Sequence, residues 1–332
     1  MNVKVFKSVA LTAISFIVTF YSVNASAQSE TGTNSIRLNQ IGFYPNATKI
    51  AIITNAGKGD FYIRTLNKKT VFTGQSKPAA QLTFGGKQIA VADFTAFAKN
   101  GTYLVYIPLS GYSYPFTIAP SIHKSVAGGS IKAFYYQRAS VELIQKYAGK
   151  WHRAAGHPDN RVLIHSSAAT AQRPESTVVS ASGGWYDAGD YNKYIVNSGI
   201  STATLLSLYE DFPDHMKTVR LNIPESDNQI PDVLDEVLWN LRWMLMMQDP
   251  NDGGVYHKLT NARFDGMIMP EKAIETRYVV QKSTAATLDF AAVTAQAARI
   301  FARFRGQLPG LADSCLKASE LAYTWASKNP DV

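Results

Sequence analysis

A single cysteine, Cys315, in 332 residues rules out any intrachain disulfide. On its apparently helical segment that thiol reads as a small buried apolar residue. The chain has no phosphate-cradling glycine loop, no Gly-x-Ser-x-Gly elbow and no His-Glu-x-x-His pair. Kinase, esterase and metalloprotease chemistry therefore find nothing to stand on. Internal repeats and low-complexity tracts are absent, and nothing after the amino terminus approaches the length of a membrane-spanning helix. Charge is sparse, at 17% of residues, and its basic balance of +8 is scattered. Asn67-Lys68-Lys69 is about the densest spot, so the cations read as solvated surface, with no nucleic-acid partner.

What is present begins with an export signal. Lys4 and Lys7 give a positive start, Val9 to Val23 is apolar, and Ala25-Ser26-Ala27 offers a small-x-small cleavage pattern. Residues 1–27 are thus expected to leave, with a secreted or periplasmic chain starting at Gln28. No membrane partner is expected.

Two textures follow. Over 34–120, short β-branched and aromatic runs such as Lys49–Thr54, Phe61–Leu66, Thr102–Ile107 and Tyr114–Ile118 alternate with Asn55-Ala56-Gly57, Gly85-Gly86, Asn100-Gly101 and Ser110-Gly111. That pattern predicts a small antiparallel β-sandwich. From 121 to 332 the apolar spacing turns helical, over Ser130–Tyr147, Gly199–Asp211, Ile230–Met247, Ser283–Arg305 and Leu311–Ser327. An all-helical domain with function on its loops is expected, with a hinge at Ala119–Gly129.

The segment Ser182–Tyr194 carries the chemistry. It sets Asp187 and Asp190 three residues apart on glycine-rich backbone, among Trp185, Tyr186, Tyr191 and Tyr194. Aspartates are usually solvated and aromatic rings usually buried, so this mixture points to a cleft for a flat-faced ligand. Paired carboxylates beside aromatic walls suit glycosidic hydrolysis. Two carboxylates flanking one water can orient both its hydrogens, and Gly189 is expected to let the turn between them bend.

The order of segments adds to this. Ile36-Arg37-Leu38-Asn39-Gln40-Ile41-Gly42-Phe43, Gly184–Asp190, Pro231–Glu236, Gly253–Lys258, Met269-Pro270-Glu271 and Ser283–Thr287 follow one another. Together they resemble glycoside hydrolase family 9, the cellulase family, in the subgroup with an amino-terminal immunoglobulin-like domain. The resemblance implies an immunoglobulin-like sandwich followed by an (α/α)6 barrel. It implies hydrolysis of β-1,4-glucans with inversion, with no cofactor and a β-glucan polysaccharide as partner. Asp190 then takes the place of the general base and Asp187 that of its partner in holding water. His257 matches the family's sugar-contacting histidine, its ring able to donate to a hydroxyl. Trp185, Tyr186 and Tyr256 are candidate stacking or cleft-wall rings. The family's general acid is a glutamate in the last barrel helices, and no segment after Leu311 offers that motif. The resemblance therefore implies an incomplete barrel without its acid, in a monomer.

Blander readings stand beside these. Asp-Ala-Gly-Asp is also good turn chemistry. His152, His157 and His165 have no metal-site spacing and read as surface loop. Trp239 and Trp243 lie on a helical stripe and read as core. Asp232, Asp235 and Glu236 read as helix-start charges, with a structural calcium as the minor alternative. Two rivals to an enzyme remain: a non-catalytic carbohydrate-binding remnant, and a fragment without function.

Overall fold

A computed structural model describes residues 32–79 and 88–332; the signal segment and the Gly85-Gly86 turn lie outside the described residues. The chain divides into two compact units, meeting at Ile122 and His123.

In the first unit the named strands pair antiparallel, beside one isolated parallel bridge between Phe43 and Ile118. Its strands are β1 (Ile36–Leu38), β2 (Ile50–Thr54), β3 (Gly59–Thr65), β4 (Thr70–Pro78), β5 (Ile89–Asp93), β6 (Gly101–Ile107), β7 (Gly111–Tyr112) and β8 (Phe116–Ile118). They join in the order β1-β2-β5-β4-β3-β6-β7, with β8 on β6. β4 pairs with β3 along most of its length and with β5 only at Lys77 and Pro78, so one strand serves both halves. Alternate residues point inward, as period-two geometry demands: Ala51 and Ile53, Phe61 and Ile63, Ala90 and Ala92, Tyr103, Val105 and Ile107 form one core. Gly74 sits opposite Phe61, where a Cβ would lie 2.4 Å from the ring.

The second unit holds the helices α1 (Lys124–Tyr136), α2 (Gln145–Ala148), α3 (Ile195–Asp211), α4 (Pro213–Met216), α5 (Asp232–Met246), α6 (Thr284–Phe301) and α7 (Leu311–Lys328). α3 packs on α5 and α6, and α6 on α7. The α5 stripe Val233, Leu234, Val237, Leu238, Leu241 and Met244 is buried, with Trp243 in the core and Trp239 half-buried. Cys315 is buried too.

Three expectations change here. The unit is not purely helical: β9 (Val162–Ile164), β10 (Val178–Val179), β11 (Lys193–Tyr194), β12 (Lys258–Asn261) and β13 (Arg277–Val279) form a mixed sheet, ordered β10-β9-β13-β12-β11. Strands of two to four residues are too short to print an alternation in sequence. The proposed hinge is largely the first turns of α1. The helix expected over Ser130–Tyr147 stops at Tyr136, because the chain turns to bury Arg138 against Glu236. Asp232, Asp235 and Glu236 do stand at the start of α5, and all three are buried there. Asp232 Oδ2 accepts from Leu221 N and from Ser226 Oγ, both at 2.6 Å, which fastens the loop before α5. Glu236 meets Arg138 Nη2 at 2.7 Å. Burial pushes the Asp235 and Glu236 carboxyls up to about 7.

Candidate active site

The loop carrying the two aspartates is built from a run of forced backbone. Gly183 and Gly184 have φ of +79° and +77°. A Cβ on Gly184 would lie 2.7 Å from the Trp243 ring, so the close approach itself requires glycine. The Gly184 carbonyl accepts from Ala139 N at 2.9 Å and from Trp239 Nε1 at 3.0 Å. Trp185 N donates to Asn240 Oδ1 and Tyr186 N to the Gln137 carbonyl, which pins the approach to the loop. Asp187 N then donates to the Asn192 carbonyl at 3.0 Å and closes it. The tight position is Tyr191, at φ +57°, and not Gly189, which has open space around it and no left-handed φ.

Within this loop each carboxylate is held at one edge. Asn197 Nδ2, from the first turn of α3, donates to Asp187 Oδ1 at 2.7 Å. The Tyr194 hydroxyl donates to Asp190 Oδ2 at 2.9 Å, and Asn192 N reaches Asp190 Oδ1 at 3.3 Å. Burial and the neighbouring Asp190 hold the Tyr194 phenol above its ordinary range, so it stays a donor. Asp187 is exposed and Asp190 half-buried, so water reaches both. Two fixed carboxylates with free lone pairs can bind and deprotonate a water.

His257 lies beside this edge. Tyr194 pairs with Lys258 across β11 and β12, and Ile195 N donates to the His257 carbonyl at 2.9 Å. The ring's Nδ1 is 2.9 Å from the Gln281 carbonyl, an acceptor only, so Nδ1 carries the proton. Burial lowers the ring's pKa. A neutral ring so held offers Nε2 as an acceptor, which reverses the donor role expected from sequence.

The aromatic residues sit lower than expected. Tyr256 is 1% exposed, its hydroxyl on Asp249 Oδ2 at 3.1 Å within an Arg173–Asp249–Lys282 cluster. It has no face to offer a sugar. Trp185 packs on Phe134, centroids 4.6 Å apart, and Tyr186 bonds His157 Nδ1 at 2.8 Å. Both are buried beneath the loop, with edges lining a cavity of about 310 Å³ beside Asp187 and Asn197.

Sequence reasoning missed the clamp behind the loop. Lys193 is fully buried, with Nζ 2.8 Å from Asp159 Oδ2, 2.8 Å from the Ala181 carbonyl and 2.7 Å from that of Gly183. Burial brings its pKa down to about 8. Arg277 grips both Asp159 oxygens, at 3.1 and 3.2 Å, and donates to the Tyr191 carbonyl at 2.9 Å. His157, expected on the surface, is 5% exposed, and burial pushes its pKa down to about 4. His152 and His165 are exposed, and among the described residues no cluster of three or more His, Cys, Asp or Glu is arranged to hold a metal. No local sequence signal marks Asp159 or Arg277; they come together only through the sheet.

The profile of Glycosyl hydrolase family 9 matches residues 123–332, and that of the cellulase N-terminal ig-like domain matches 31–111. The chain therefore belongs to glycosyl hydrolase family 9. Among its relatives is the xyloglucan-specific endo-beta-1,4-glucanase of Bacteroides ovatus, 48% identical over 300 residues, covering 90% of this chain and 51% of that protein. Endoglucanase D of Acetivibrio thermocellus is 36% identical over 298 residues, covering 89% and 46%. In three dimensions a Bacteroides ovatus family 9 structure superposes with a TM-score of 0.85 at 48% identity, covering 89% of this chain and 54% of that one. A metagenome-derived family 9 endoglucanase gives 0.81 at 32% identity, covering 90% and 55%. The chain spans about half the length of the curated relatives it matches. Among the described residues no helix is long and apolar enough to cross a membrane.

Proposed function

We propose that this chain carries the water-activating side of an inverting β-1,4-glucan hydrolase. The observation that carries the reading is the pair Asp187, fixed by Asn197, and Asp190, fixed by Tyr194 and Asn192, both reached by solvent. A water between them gives a proton to Asp190 while Asp187 holds its second hydrogen. The water oxygen attacks the anomeric carbon from the face opposite the leaving sugar. In such enzymes the acid that protonates the leaving oxygen stands roughly 6.5–9.5 Å from the base. We assign no residue of this chain to that acid. His257 Nε2 accepts from a sugar hydroxyl at the cleavage point, and the helices belong to an (α/α)6 barrel. The xyloglucan specificity of one relative makes a branched β-1,4-glucan a candidate substrate beside unbranched chains. We read residues 1–27 as an export signal, so that the mature chain begins at Gln28.

The deciding assay is reducing-sugar release from hydroxyethylcellulose and from xyloglucan by the chain and by Asp190→Ala. Release that disappears in the variant supports the reading. Release that persists removes Asp190 from the mechanism. If the parent releases nothing yet is slowed by these glucans in an affinity gel, the chain binds glucan without turning it over.

A further inference from the structure

The loop that carries Asp187 and Asp190 is reached at both of its ends by one buried carboxylate. Asp159 lies just before β9, 4% exposed, on left-handed backbone at φ +46°. A residue other than glycine keeps such backbone only where its surroundings hold it. At the entry to the loop the Asp159 carbonyl accepts from Ala181 N at 2.8 Å. At the exit its carboxylate meets Lys193 and Arg277, both buried.

Each cation carries the grip on to loop backbone. Lys193 Nζ donates to the Ala181 and Gly183 carbonyls, and Arg277 to that of Tyr191. An ammonium has three N–H groups, and Lys193 has an acceptor for each of them. To shift the loop, these carbonyls must leave their donors and two cations must stay buried without them. That is the costly kind of rupture in a dry interior.

We propose that Asp159 is a positioning residue for the water-activating pair. Acting through Lys193 and Arg277, it fixes where the loop holds Asp187 and Asp190. The assignment rests on the hydrolase reading of that pair and adds to it the group that keeps the geometry. Such geometry matters steeply, since a misplacement of about 1 Å costs on the order of 100-fold in rate.

The experiment is hydrogen–deuterium exchange of the chain, read by mass spectrometry on peptides from 185–194, from α5 and from α6. The first of these contains Asp187 N, whose bond to the Asn192 carbonyl closes the loop. Asp159→Asn strands two buried cations and puts folding itself at stake. The leading variant is therefore Arg277→Lys, which keeps the charge but loses the fork to Asp159. Its loop peptide is expected to exchange about tenfold faster, the scale of one lost hydrogen bond, with α5 and α6 unchanged. Loop exchange equal to the parent's, or a rise that α5 and α6 share equally, overturns the proposal. Asp159→Asn, if it folds, is expected to open the loop at least as far; a smaller opening removes Asp159 from the role. On soluble β-1,4-glucan, Arg277→Lys is expected to lose about tenfold in kcat at little-changed KM, and a raised KM at parental kcat also overturns the proposal. A parent without turnover overturns the hydrolase reading alone, and exchange still decides whether Asp159 holds the loop.

Discussion

The Tyr194 hydroxyl donates to Asp190 Oδ2 across 2.9 Å, from the strand that begins directly after the loop carrying the two aspartates. Since β11 is held by β12, the tyrosine fixes the carboxylate to the sheet as well as to its own loop. A hydrogen bond to a charged group is worth about 1.5–3 kcal/mol. Tyr194→Phe is therefore expected to lower kcat on soluble β-1,4-glucan about tenfold or more, with KM little changed. Steady-state kinetics check this, and an unaltered kcat would remove Tyr194 from the site.

Gly184 is required by two things at once, a φ of +77° and the Trp243 ring beside it. Gly184→Ala is expected to cost about 2–4 kcal/mol, from backbone strain and overpacking together. The urea midpoint should fall with the slope unchanged. A shift under half a kcal/mol would show that the ring moves aside freely.

Arg138 forms an ion pair with the buried Glu236 at 2.7 Å, and it also takes both oxygens of Glu225. Arg138→Leu leaves a carboxyl in the core without its partner, at about 3–5 kcal/mol. Replacing both, as Arg138→Leu with Glu236→Leu, is expected to recover much of that loss. Chemical denaturation of the single and double variants measures it; a double variant as weak as the single would contradict the account.

His157 gives a pH signature. Its pKa falls from the usual 6.5 to about 4 on folding, so between those values the unfolded chain binds the extra proton. Stability is then present above about 6.5 and drains away as pH falls toward 4, by on the order of 3 kcal/mol. In His157→Gln the stability curve should flatten over this window. Equal slopes for both proteins would show that other groups govern the acid limb.

Much of this was legible in sequence where periodicity was long. The α5 stripe and the alternating strands of the first unit could be read because burial repeats over several turns or pairs. The two aspartates were legible because their residue types conflict with their neighbours'. Tyr194 and Asn197 were in plain view, but nothing in the string says that one reaches Asp190 and the other Asp187. Lys193 reads as a surface lysine, since a buried charge is visible only with its partner. His257 shows the same limit: its identity could be read, whereas its proton's position depends on the Gln281 carbonyl, 24 positions away.

The clamp on Asp159 also sets an order of events in synthesis. Arg277, which grips this aspartate and the Tyr191 carbonyl, lies 118 positions after Asp159. A nascent chain thus displays both Asp187 and Asp190 well before it can lock the loop that carries them. Trypsin should cut at Lys193 in ribosome-bound chains stalled before residue 277 and spare it once the β12–β13 hairpin is out; equal cutting would refute this. The motif is made early, but competence arrives with the hairpin, so a translational pause between the two would leave the loop open to proteases.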